Sequence, residues 1–386
     1  MTNESTEPTG DHPDAARPDG TGTTGTTGTE HNATTDGRIT VAVVYGGRSP
    51  EHSVSCISAA AVMSTLDPAR YEIVPVGITR DGVWVTGTTD TDALSAHGRD
   101  LPEVAPGEPL HLLPGRGGEL RTTDGGLHAR VDVVFPVLHG VNGEDGTVQG
   151  LLDLAGVPYV GNGVLASANC MDKQYTKVIA RAAGIPVGRE TILRERRDLT
   201  AEERESLGLP VFVKPARGGS SIGISKVDSW DDLPDALDLA FRHDTKVVVE
   251  AMLHGREVEC GVLQHADGTV RASVPALLEG TGDGPEGFYG FETKYLDDII
   301  TAQIPAPLTE EQTEEVRRLA VETFRALNCE GLARVDFFVT EDGPVLNEPN
   351  TLPGFTPISM FPRMFIESGV AYPDLLDILV ARALAR

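Results

Sequence analysis

The sequence predicts a protein of mixed class: an α/β unit built on a parallel sheet, then α+β units, with a disordered tail in front. Three observations carry that prediction. ITVAVVYGG, from Ile39, is a run of β-branched residues ending in glycines, the pattern of a buried strand. A helical stretch and a second apolar run, YEIVPVGI at 71–78, complete a βαβ unit. Further along, two strand-like runs flank EDG at 341–343, a hairpin signal that belongs to an antiparallel sheet. At 386 residues the chain has room for two or three domains.

In chain order, residues 1–37 are Thr, Gly, Asp and Pro in short repeats such as TGTTGTTGTE. They hold too few apolar side chains to offset their ordering entropy, so a disordered tail is expected. After the first strand, HSVSCISAAAVMSTL reads as a helix. Residues 86–130 are polar and glycine-rich and yield no assignment, and VDVVFPVL at 131–138 resumes the sheet. The loop HGVNGEDG leads into a helix, TVQGLLDLAG, closed by Gly156. A second region begins near Gly161, with a helix over DKQYTKVIARAAG, strands VFVKP, IGISKV and KVVVEAM, and a helix from Trp230 to about His243. The third holds the strand REVECGVLQ, a long loop, a helix opened by the capping box of Thr309 and Gln312, the hairpin, and C-terminal helices. The expected units are 1–37, 38–161, 162–252 and 253–386.

Composition narrows the function. A formal net charge of −26 repels a phosphate backbone over most of the surface, which argues against a nucleic-acid partner, and any anionic ligand needs a local cationic cluster. No stretch approaches the ~18 apolar residues of a membrane span. MTNESTEPTG lacks the basic and apolar segments of a signal peptide, so a soluble cytoplasmic protein with no membrane partner is expected. Cys56, Cys170, Cys260 and Cys329 show no paired spacing and read as small core residues.

The most informative segment is LARVDFFVTEDGPVLNEPN, 332–350. If the hairpin pairs about Asp342, Asp336 faces Glu348 and Arg334 faces Asn350, and alternation sets all four on one face. Val335, Phe337 and Val339 then point into a core. Two facing carboxylates repel unless a cation lies between them, and oxygen-only ligands favour a hard ion such as Mg²⁺, which commonly also binds phosphates. The plainer alternative is a solvated ladder in which Arg334 neutralises the acids. KPARGGSSIG, 214–223, sets a lysine ahead of small residues whose backbone N–H groups can cradle an anion, although the order of lysine and glycines is not that of a P-loop.

Eight motifs fall in order over almost all of the chain beyond the tail: GGRSPEHSVS (46–55), LHGVNGEDG (138–146), MDK (171–173), KPARGGSSIG (214–223), EAMLHGREVE (250–259), FETKYLDD (291–298), RVDFF (334–338) and NEPNTLPGFTPISMFP (347–362). Together they resemble the D-alanine–D-alanine ligases of the ATP-grasp superfamily. That resemblance implies an ATP-grasp fold behind an N-terminal Rossmann-like parallel-sheet domain. It also implies ATP-dependent ligation of two D-alanines through an acyl phosphate, for peptidoglycan precursor synthesis. The alternatives are a related ligase making D-alanyl-D-lactate or another dipeptide, and a non-catalytic nucleotide-binding module.

The same resemblance assigns expected roles. Lys173, Lys214 and Lys294 would contact phosphate oxygens. Glu250 would take the adenine amine and Glu257 the ribose, with Ala251, Leu253 and Phe288 also in the ATP site. Asp336, Glu348 and Asn350 would hold Mg²⁺, two ions with Mn²⁺ as a substitute, and a monovalent cation such as K⁺ would act alongside. Glu51 would accept the ammonium of the first D-alanine, and Arg334 and the N–H of Gly354 would receive the oxyanion. Ser359 and the N–H of Met360 would bind the carboxylate of the second substrate, and His139 lies in the other substrate loop. The long glycine-rich loop from about Glu279 to Asp298 reads as a lid, in which Tyr295 bridges to Ser220 and Glu51 and Lys294–Tyr295 favours the dipeptide product. A homodimer is implied as well.

Overall fold

A computed structural model describes residues 37–96, 100–279, 301–356 and 358–386. The expected tail up to residue 36 and most of the expected lid, with Phe288, Lys294 and Tyr295, lie outside the described residues. Strand β1 (Ile39–Gly46) runs parallel to β2 (Tyr71–Ile78), with α1 (His52–Thr65) between them in sequence. The strand β3 (Trp84–Thr86) adds an antiparallel edge to β2. Residues 110–130, which gave no sequence signal, form a separate antiparallel sheet of β4 (Leu110–Leu112), β5 (Glu119–Thr122) and β6 (Leu127–Arg130). Its strands are so short that only Leu110, Leu112 and Leu120 are buried apolar residues, too few to write an alternation. Strand β7 (Val133–Val137) pairs in parallel with β1 and completes the order β3-β2-β1-β7. Val41 and Val43 enter one apolar cluster and Ala42 and Val44 another, so both faces of β1 are covered and its run is continuously apolar. After it, α2 (Thr147–Ala155) ends on Gly156 at φ 73°, the left-handed stop expected there.

The next segment opens with α3 (Val164–Met171), a helix the sequence reading did not anticipate. Asp172 then caps α4 (Lys173–Ala182), accepting from the N–H groups of Gln174 and Tyr175. Strand β8 (Glu190–Leu193) precedes α5 (Ala201–Leu207), whose capping box of Thr200 and Glu203 was legible in TAEE but unread. An antiparallel sheet of order β10-β9-β11-β8 is completed by β9 (Val211–Pro215), β10 (Ser225–Val227) and β11 (Val247–Ala251). Against it packs α6 (Leu233–His243), and Leu193, Val213, Leu237 and Val249 form a core of their own.

The last sheet has the order β15-β14-β12-β16-β17, with β13 on β12. Its strands are β12 (Arg256–Gln264), β13 (Val270–Ala272), β14 (Ala276–Glu279), β15 (Thr301–Gln303), β16 (Leu332–Thr340) and β17 (Gly343–Asn350). Helix α7 (Glu310–Ala326) opens with the expected capping box and packs Val316, Leu319 and Phe324 on Val335 and Phe337. Two more helices follow, α8 (Met360–Glu367) and α9 (Tyr372–Leu384). Their Phe361, Phe365, Leu375 and Leu379 join Val41, Val43 and Phe135, so the first and last parts of the described chain share one core. All four cysteines are buried and free, although Cys170 and Cys329, distant in sequence, bring their sulfurs to 3.8 Å. No helix among the described residues is long and apolar enough to cross a membrane.

Candidate active site

Strands β16 and β17 set Arg334 opposite Asn350 and Asp336 opposite Glu348. That is the expected register, reached by a different route. Thr340 pairs with Gly343, so the turn is centred between Glu341 and Asp342, and Asn347 is an extra residue bulged out of β17. The bulge restores the one-position offset; without it Asp336 would face Asn347. Val335, Phe337 and Val339 are buried on the other face, as alternation requires.

Arg334 grips Asp336 with two bonds, Nε to Oδ1 at 2.8 Å and Nη2 to Oδ2 at 2.7 Å, and its Nε lies 3.2 Å from Oε1 of Glu259. Glu259 faces Asp336 from β12, so three acids, Glu259, Asp336 and Glu348, sit in register on adjacent strands. The sequence reading missed Glu259; its alternation with Glu257 along β12 was the available signal. Arg334 and Asp336 are buried, so their part of the ladder is not solvated, while the Glu348 side chain is 38% exposed and Arg334 neutralises Asp336 as in the alternative. Asn350 Nδ2 donates to Asp336 Oδ2 at 2.9 Å. Among the described residues no three His, Cys, Asp or Glu converge as a metal cluster. Asp336, Glu348 and the Asn350 amide nevertheless offer only hard oxygen donors, and that set fits Mg²⁺.

Lys173 connects this hairpin to the glycine–serine loop. As the first residue of α4 it donates its N–H to Ala216, and its Nζ donates to the carbonyl of Gly218 at 2.9 Å while lying 3.5 Å from Glu348 Oε2. In the loop, Ser220 at φ 53° and Ser221 at φ 57° are consecutive left-handed residues without being glycine. Each such residue costs about 1–2 kcal/mol, strain that clusters at ligand-binding loops. Ser220 Oγ is buried with no hydrogen-bond partner among the described residues.

Lys214 and Glu250, expected to contact different parts of the nucleotide, contact each other. Glu250 Oε2 accepts from Lys214 Nζ at 2.8 Å and Oε1 from Lys177 Nζ at 2.7 Å. Burial pushes the Glu250 carboxyl up, but the two ammoniums outweigh it and hold the group well below the usual carboxylate range. For Lys214 burial pushes the ammonium down, and Glu250, with smaller help from Glu348 and Glu257, raises it instead. Glu190, 3.6 Å from Lys177, is raised by burial and by Glu250 against the pull of that lysine. Lys177 was not singled out from sequence, though it follows Lys173 by one helical turn. Glu257 lies half-buried on β12, Ala251 donates its N–H to Arg189, and Leu253 borders Gly188.

Three loops meet at Glu51, which is buried at the start of α1. A Cβ added at Gly140 would stand 3.1 Å from Glu51 Oε2, and one at Gly219 would stand 3.7 Å from it. His139 Nδ1 bonds to the carbonyl of Leu352 at 3.1 Å. A Cβ on Gly354 would come within 2.8 Å of Ser359 Oγ, so glycine is needed for that approach. Ser359 is the N-cap residue of α8, and Met360 is its first residue. A cavity of about 270 Å³ opens at the carboxyl ends of β1, β2 and β7, lined by Gly47, Ile78, Trp84 and His139 among others, where open parallel sheets commonly bind ligands.

Residues 40–162 match the family model of the D-ala D-ala ligase N-terminus, and residues 177–381 match that of the D-ala D-ala ligase C-terminus. The chain belongs to the D-alanine–D-alanine ligase family. A D-alanine–D-alanine ligase of Corynebacterium jeikeium is 64% identical over 365 residues, spanning 90% of this chain and 98% of that relative. Among solved structures, the VanG D-Ala:D-Ser ligase from Enterococcus faecalis is similar with a TM-score of 0.77 at 36% identity, over 90% of this chain and 99% of that one. The D-alanine–D-alanine ligase from Bacillus anthracis complexed with ATP gives a TM-score of 0.67 at 28% identity, over 90% and 97%. The fold class expected from the sequence, with its parallel N-terminal sheet, is that of these ligases. Glu51 and His139 fall in the N-terminal ligase match and the hairpin in the C-terminal one, while Lys173 lies between the two.

Proposed function

We propose that this ligase joins two D-alanines, with conversion of ATP to ADP and phosphate, at the loops gathered around Glu51, Lys173 and the β16–β17 hairpin. The observation that carries the reading is the position of Lys173, whose one ammonium touches both the glycine–serine loop and Glu348. A lysine so placed can neutralise a phosphate chain lying between them.

At neutral pH a carboxylate is a poor electrophile, so the first D-alanine needs activation. Glu51 holds its ammonium, and a carboxylate oxygen attacks the γ-phosphorus as the bond to the leaving ADP oxygen breaks. Lys173 and Lys214 bear on the phosphate oxygens, and Ser220 brings a buried hydroxyl within the glycine–serine loop itself. Mg²⁺ held by Asp336, Glu348 and Asn350 supplies neutralisation of the transferring charge. The amine of the second D-alanine, its carboxylate on Ser359 and the N–H of Met360, then attacks the acyl carbon. Arg334 and the Gly354 N–H receive the oxyanion, and loss of phosphate with a proton from nitrogen leaves the dipeptide.

Incubation with ATP, Mg²⁺ and D-alanine is expected to release dipeptide and phosphate in equal amounts. ADP release that ignores D-alanine would overturn the reading in favour of a nucleotide-binding module. The similarity to a D-Ala:D-Ser ligase makes competition by D-serine and D-lactate the test of the second substrate. Two ions per site, stimulation by K⁺, a homodimer and a cytoplasmic location belong to the same proposal, and metal titration and sedimentation test the first three.

A further inference from the structure

We infer that Glu144 is a positioning residue for the ligation, setting the oxyanion donor by tying the loop beside Glu51 to the loop that carries Gly354. The inference rests on the role proposed above for Gly354. Glu144 lies in HGVNGEDG and is half-buried. Its Oε2 accepts from the N–H of Gly140 at 2.6 Å, and its Oε1 accepts from the N–H of Leu352 at 3.3 Å. From the same loop, His139 Nδ1 bonds to the carbonyl of Leu352 at 3.1 Å. Both backbone polar groups of Leu352 are therefore held by residues of one loop, two positions before Gly354. The Leu352 side chain is also buried, and a Cβ on Gly161 would come within 3.2 Å of it, so the residue is fixed on its apolar side too.

The neighbouring acid does a different job. Asp145 accepts from the N–H groups of Asn142 and Thr147, both local, and so shapes only its own turn. Glu144 instead spans the 208 positions to Leu352 and couples the surroundings of Glu51, which Gly140 touches, to the segment entering Gly354. A carboxylate suits the position because each of its oxygens meets an N–H. A glutamine offers one oxygen and would turn an NH₂ group toward the second donor. Misplacement by ~1 Å at a reacting centre is enough to cost about 10²-fold in rate.

The test compares Glu144→Gln and Glu144→Ala with the wild-type enzyme in dipeptide formation and in positional isotope exchange of ¹⁸O-labelled ATP with D-alanine, which reads acyl-phosphate formation alone. Positioning of the oxyanion donor predicts that kcat for dipeptide falls roughly 10- to 100-fold. Exchange and the KM for ATP should stay within about twofold. If the alanine variant does not fold, the nearly isosteric glutamine variant decides. Unchanged kcat, or an equal loss in exchange and in ligation, would overturn the inference, since a general loosening of the site affects both halves. A wild-type protein that forms no dipeptide at all would overturn the functional reading and this inference with it.

Discussion

Lys177 and Lys214 keep Glu250 ionised in the interior, so replacing that carboxylate leaves two ammoniums facing each other with only the weaker contact of Lys177 to Glu190, at 3.6 Å, and the more distant Glu348 and Glu257 as counter-charge. Glu250→Gln is expected to lower stability by about 3–5 kcal/mol in urea unfolding at pH 7. The pH dependence follows from the directions of the shifts. Glu250 is depressed, so its contribution is present above its unfolded value of about 4.3 and fades as pH falls toward the folded one. Lys214 is raised, so its contribution is complete below about 10.4 and is lost as pH climbs past it. The gap between wild type and variant should be flat between about pH 5 and 9 and shrink beyond both ends. Glu348 is a different case, with a side chain 38% exposed and little packing to lose. Glu348→Ala is expected to reduce turnover roughly 100-fold or more while Tm moves by no more than about 2 °C, read by coupled phosphate assay and calorimetry. Asp336 and Glu348 were legible in sequence because a strand alternates around a turn within a few residues. Lys177 and Glu144 were not, because each acts through a partner on another element, at Glu250 and Leu352, and no local pattern records that.

The β16–β17 hairpin shows how a correct register can hide its own cause. The sequence reading centred the turn one half-position late, and the bulged Asn347 compensates. Deleting Asn347 should therefore leave Glu348 opposite Asp336 and Asn350 opposite Arg334 in an unbulged ladder, and turnover should survive in a protein whose circular dichroism shows it folded; complete loss of activity would mean that the bulge itself, and not the register alone, aims the two side chains. Long elements with a full apolar face, such as β1, β12 and α7, were readable from period alone. The sheet at 110–130 was not, because its strands bury so little that polar composition masks them. Helix α5 was missed for a different reason: its cap signal was present, but its body, AEERESL, buries only Leu207 and lacks an apolar stripe.

Across the whole molecule, three of the four described sheets contribute separately to one site, so ligand binding should stabilise those three together. ATP with Mg²⁺, at about 100 times its dissociation constant, is expected to add about 2.7 kcal/mol to stability. Glu348→Ala should lose most of that gain, which thermal unfolding with and without nucleotide would measure. The middle sheet is insulated from the others by its own core, whereas one face of the first sheet is completed by Phe355, Phe361, Phe365 and α9. During synthesis that face emerges from the ribosome hundreds of residues before the helices that cover it. The nascent chain must therefore carry a half-clad apolar layer until translation is almost over.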